Sequence, residues 1–285
     1  MLHFDTDDLR DVFVYAMIDD YLKTCNHATS TGAAANGQPP KLTDAEVLFV
    51  FLIGCLDHGG NCQQAMRAMK RARNITQKLS RSQFNRRVHK LQDRLCELLA
   101  LLSQWAKTEN TQFALDSCPL PVCKNIRISR CQLVQGEAFR GYNASKREYF
   151  YGYKVHLITA ADGRIVEFDF TPGSCHDQIA FELLNFELAA DSVVYADKAY
   201  NHHAQEELLA QAAGIAFQPI RRSNSRQSDN DYCTNWLRQQ ARRHVETDIS
   251  QLVSHWPRRI HAVTAKGFLL KVVGFVMTHN ILFYV

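Results

Sequence analysis

No CxxC pair occurs among the nine cysteines of this 285-residue chain. Cys118, Cys123 and Cys131 cluster, but at spacings of five and eight residues that do not match a zinc knuckle. An odd, scattered set of thiols suits a reducing compartment. The opening stretch MLHFDTDDLR lacks the basic residues that begin a secretory signal. The apolar C-terminal run GFLLKVVGFVMTHNILFYV is interrupted by Lys271, His279 and Asn280, so it reads as a buried closing helix rather than a membrane span. These absences predict a cytoplasmic protein with no membrane partner.

Acid is the residue class most unevenly missing. The net charge of the whole chain is only +4. Between Cys62 and Arg94, however, ten Lys or Arg face a single acid, Asp93, whereas the first 24 residues hold six Asp against Arg10 and Lys23. A block so basic is explained by a polyanion or by a solvated face.

What is present divides near residue 110. The first part reads as helical, with a helix beginning near Asp5 and a flexible linker in ATSTGAAANGQPP (Ala28 to Pro40). Thr43 followed by Glu46 forms a capping box ahead of an apolar run, and Gly59-Gly60 ends that helix. A short basic helix comes next. In SRSQFNRRVHKLQDRLCELLALL, Phe84, Val88, Leu91, Leu95, Leu98 and Leu102 recur at helical spacing, predicting one long helix. After Thr111, FALDS, YFYGYKVHLITA and RIVEFDF read as strands, the last two joined by an Asp162-Gly163 hairpin turn. A helix from about Gln178, the strand SVVYAD, the helix NHHAQEELLAQAAG, the strand IAFQPI and a helix over roughly 235–253 complete a mixed sheet flanked by helices, an α/β fold after an N-terminal all-α region.

Two carboxylates end strand-like runs, Asp116 after FAL and Asp197 after VVYA. A third, Glu246, borders the apolar stripe Val245, Ile249, Leu252 and Val253 of the late helix. Three convergent carboxylates suit a pair of hard divalent ions and chemistry at phosphorus. Asp also favours turns and caps, so spacing alone leaves the ordinary structural reading open.

At these residues the sequence resembles a DDE-type transposase of bacterial insertion sequences. The stretches that carry the resemblance are ALDSCPLPVCKNIRISR, FRGYNASKREYFYGYKVHLIT, VEFDFTPGSCHD, VVYADKAYN, QPIRRSNS, RRHVETDISQL and IHAVTAKGF, in that order. The resemblance implies a ribonuclease-H-like catalytic domain over 111–285 and a helical DNA-binding region over 1–108. It makes Asp116, Asp197 and Glu246 the catalytic, metal-binding triad, with two Mg²⁺ or Mn²⁺ ions as cofactor. It implies as partners the terminal inverted repeats of an element, target DNA, and further copies of the chain in a dimer or higher oligomer. Related groups place Tyr three residues before the Arg that precedes the Glu, where this chain has Gln239, and Lys seven residues after the Glu, where it has Val253. Those positions bear on subgroup and on DNA grip, not on the triad.

Several residues are candidate DNA contacts. Two helices over 62–94 suit a helix-turn-helix, in which Arg81, Gln83, Arg86, Arg87 and Lys90 project outward and Gln83 with Arg86 or Arg87 comes near base edges. The alternative is a phosphate-binding face without base reading. Lys154 and His156 share one strand face, which either meets DNA or is an ordinary polar face. Arg242 and Arg243 precede Glu246 and suit either phosphate contact or a plain salt bridge. Arg221 and Arg222, in PIRRSNSR, belong either to a phosphate-binding loop or to a solvated one. A nuclease that cleaves without joining, and a degenerate copy acting as a repressor, stay open as rivals.

Overall fold

The computed structural model describes residues 6–29, 40–72, 74–75, 77–144, 146–221, 232–254, 256–257 and 259–284. The chain forms two compact units, one of residues 1–102 with 255–285 and the other of 103–254.

The first unit is helical: α1 (Thr6–Thr29), α2 (Asp44–His58), α3 (Cys62–Arg71), α4 (Arg81–Lys90), the first part of α5 (Gln92–Glu109), and α9 (Ala265–Ile281). The linker expected before Pro40 falls largely outside the described residues. The capping box forms as expected, Glu46 N donating to Thr43 Oγ1 at 3.1 Å and Thr43 N to Glu46 Oε2 at 2.6 Å. α2 is buried at Ala45 and from Val47 to Cys55, so it is a core helix surrounded by others. α9 packs on it: a Cβ added at Gly274 would lie 2.7 Å from Cys55 Sγ and 2.8 Å from the Phe51 ring. The C-terminal run is thus a buried helix, as expected, but it joins the N-terminal helices rather than the sheet. No single helix among the described residues is long and apolar enough to cross a membrane.

Two helical expectations change. The long helix predicted from Ser80 breaks at Leu91, whose ψ of 6° ends α4 while its side chain stays buried, so the apolar spacing continues through the break. The link from α3 to α4 runs from Ala72 to Ser80. It exceeds the 3–4-residue turn of a helix-turn-helix.

The second unit holds the sheet: β1 (Gln112–Cys123), β2 (Arg140–Asn143), β3 (Glu148–Ala160), β4 (Ile165–Pro172), β5 (Val193–Ala196) and β6 (Ala216–Pro219), with α6 (Asp177–Leu183), α7 (His203–Ala213) and α8 (Tyr232–Ser254). β3 pairs antiparallel with β1 on one edge and with β2 and β4 on the other, while β5 and β6 continue the sheet parallel to β1. β1 is longer than FALDS because it runs on through Pro119 and Pro121. Proline lacks a donor, and this end of β1 has no strand on its β5 side, since β5 reaches only Leu115.

Alternation gives the sheet two faces. Phe113, Leu115, Val194, Ala196 and Ile158 enter the main core with Phe181 of α6, Leu209 of α7 and Ala106 of α5. Phe181 stacks on Phe217 at 4.2 Å. Each of the Val, Leu, Ile and Phe side chains contributes about 1.5–3 kcal/mol on full burial. On the opposite face Ala114 and Tyr195 pack against Ile249 of α8.

Candidate active site

Asp116 has the parity of Ala114, and Asp197, one residue beyond β5, has that of Tyr195. Because Leu115 is paired with Ala196 in the parallel ladder, the next residue of each strand is one of these two carboxylates. Both therefore lie side by side on the face that α8 covers. Each has a local reason to be there. Asp116 Oδ1 accepts from the neighbouring Ser117 N at 2.7 Å. Asp197 starts the 3-10 turn Lys198–Tyr200, with Tyr200 N donating to its carbonyl at 3.0 Å.

Asp116 and Asp197 line a small recess together with Arg238 of α8. Arg238 is only 6% exposed, so a guanidinium is buried beside two acids. Sequence reasoning missed it. The signal was its spacing: Arg238, Arg242 and Glu246 follow one another at intervals of four on one helix, close to the face that bears Ile249. Glu246 lies within α8, and its side chain, like that of Arg242, is outside the described set. Among the described residues no group of three His, Cys, Asp or Glu side chains is gathered closely enough to hold a metal ion. Two of the three predicted carboxylates are thus brought together, and the third is on the helix that covers them.

The other face carries a polar cluster. His156 is fully buried, its Nδ1 2.9 Å from Tyr200 Oη and its Nε2 2.9 Å from Thr171 Oγ1. Burial pushes its pKa down to about 4. Lys154 Nζ donates to Asp177 Oδ1 and to Cys175 O, both at 2.9 Å, and Ser117 Oγ donates to the same Asp177 oxygen at 3.5 Å. The same burial raises the Tyr200 pKa. His156 is therefore corrected from a DNA contact to a core residue, and Lys154 serves an internal ion pair. β3 has a strand on each edge and helices over this face, so its polar residues point inward.

The remaining candidates divide. Arg221 makes a two-pronged ion pair with Glu206, at 2.9 and 2.5 Å, and donates to Asn201 Oδ1, so it braces α7 rather than waving in a loop. Arg222 lies outside the described residues, and Arg243 is exposed. Arg87 donates to Leu42 O and pairs with Asp44 at the start of α2. Gln83 closes a capping box with Ser80, Ser80 N donating to its Oε1 at 3.1 Å. Arg81, Arg86 and Lys90 are exposed.

A sheet with four antiparallel strands continued by two parallel ones, helices on both faces, and acids where the first strand's pairing with its parallel neighbour ends is the ribonuclease-H-like arrangement. The family profile described as "Transposase DDE domain" matches residues 106–256. The chain belongs to this transposase family, whose substrate is DNA. No curated protein and no solved structure gives a significant match.

Proposed function

We propose that the chain cuts DNA at the ends of an insertion sequence and joins the freed 3′-hydroxyl to target DNA, using Asp116, Asp197 and Glu246. The observation that carries this reading is the side-by-side placement of Asp116 and Asp197 just past the end of the parallel β1–β5 ladder, under the helix that bears Glu246. This donor set fits a hard divalent cation, being carboxylate oxygen without thiolate or imidazole. Asp116, Asp197 and Glu246 would hold two Mg²⁺ or Mn²⁺ ions, which when bound activate an attacking oxygen and stabilise a leaving one. The β1–β5 ladder fixes the spacing of the two aspartates, and Arg238 offsets their negative charge within the recess. Water attacks the phosphodiester at the element end and releases a 3′-hydroxyl. That hydroxyl then attacks a phosphodiester of the target in line, and its former bridging oxygen leaves as a new 3′-hydroxyl.

The test is strand cleavage of end DNA with Mg²⁺, alone and with a target plasmid. Asp116→Asn, Asp197→Asn and Glu246→Gln should each lower cleavage at least about 10²-fold, the scale of losing one preorganised electrostatic group, with DNA binding retained. A variant that kept near-normal cleavage would strike its residue from the triad. Cleavage without joined product would favour a plain nuclease. Binding without any cleavage by the unaltered protein would favour a repressor.

A further inference from the structure

We infer that the helical unit grips a strand of DNA phosphate backbone in a cleft built jointly by its N-terminal helices and by the segment leading into α9. The cleft has a volume of about 870 Å³. Arg67 of α3 and Arg81, Asn85 and His89 of α4 line it from one side, His261 and Lys271 from the other. None of the described residues lining it is Asp or Glu. Three permanent positive charges without a compensating acid in one concavity attract a polyanion. The first turns of α3, α4 and α9 also border the cleft, at Cys62, Arg81 and Gly267, and add the partial positive charge of three helix starts.

The placement of α4 says what kind of grip this is. Residues 81, 85 and 89 form one stripe of the helix, and that stripe is a wall of the cleft. Gln83, a base-reading candidate from sequence, is held by its own capping box, and Arg87 is held by Asp44. A recognition helix reads bases by protruding into the major groove. A cationic stripe set in a concave wall meets the ridge of phosphates instead. The cleft thus binds backbone with little regard to sequence, and Lys271, distant in the chain from Arg81, is part of the same contact. This deepens the proposed function, since it assigns that function's DNA a second point of hold. The two readings fail separately, because binding and cleavage are read independently.

The experiment is binding of a labelled element-end duplex and a random duplex to the full chain across a salt series. Arg81→Gln and Lys271→Gln should each reduce the log–log salt slope by about one unit, equally for both duplexes. Melting curves identify any variant that fails to fold. Because Lys271 Nζ also donates to His261 O at 2.6 Å, Arg67→Gln serves as the alternative on the facing wall. Lys70→Gln removes an equal charge outside the cleft and should change the slope less. Unchanged slopes in folded Arg67, Arg81 and Lys271 variants would overturn the inference. So would an equal effect of Lys70→Gln, or a loss confined to the element-end duplex.

Discussion

At the scale of single residues, Arg238 and His156 show how burial sets chemistry. A buried guanidinium lines the same recess as two carboxylates, so its charge acts on theirs across a water-poor space. Arg238→Leu should lower the urea midpoint, and Asp197→Asn in the same background should recover part of the loss. Additive effects of the two changes would mean that they do not interact. His156 is held neutral, with a folded pKa near 4 against 6.5 unfolded. The unfolded chain therefore binds the proton more readily. Stability from this group is complete above about pH 6.5 and falls as pH drops toward 4, by on the order of 3 kcal/mol. His156→Gln should flatten that part of the stability–pH profile, measured by denaturation at fixed pH steps.

At the scale of elements, close approach decides what each contact tolerates. Gly152 has φ of +157°, and an added Cβ would lie 2.3 Å from Leu120 O, so Gly152→Ala would push β3 away from β1. Gly274→Ala would meet Cys55 and Phe51 and should cost about 1–3 kcal/mol of stability in a denaturation measurement. Much at this scale was legible in the sequence. The capping box at Thr43, the Asp162-Gly163 hairpin, α7, α8 and the buried α9 all follow from local chemistry. Asp116 and Asp197 stood out as candidates because each follows an apolar run. The orientation of Lys154 and His156 was not, since alternation separates two faces of a strand without saying which is covered. The break at Leu91 was hidden by apolar spacing that continues across it. Arg238 was invisible as a site residue because its neighbours come from two strands more than forty residues away.

At the scale of the molecule, the chain leaves the helical unit within α5 and returns to it after Ser254. Periodicity in sequence describes a helix but not its partner, so α9 read as the close of the sheet domain. A chain ending after Ser254 should keep the sheet unit, whose main core cluster spans residues 106–217 and whose other face is covered by α8, all before that point. It should lose the cooperative unfolding of the helical unit, because the face of α2 around Phe51 and Cys55 is left bare. Far-ultraviolet circular dichroism through a thermal scan checks this: two transitions in the full chain against one in the shortened chain.

That return of the chain also fixes an order of events at the ribosome. Domains ordinarily fold from the N-terminus as they emerge, but here the first helices made must wait for residues made after the whole sheet. The strands and their acids can assemble while α2 still lacks its cover. During synthesis the unit that bears the sheet is therefore finished before the helical unit and its cleft, and only a chain translated past α9 carries both.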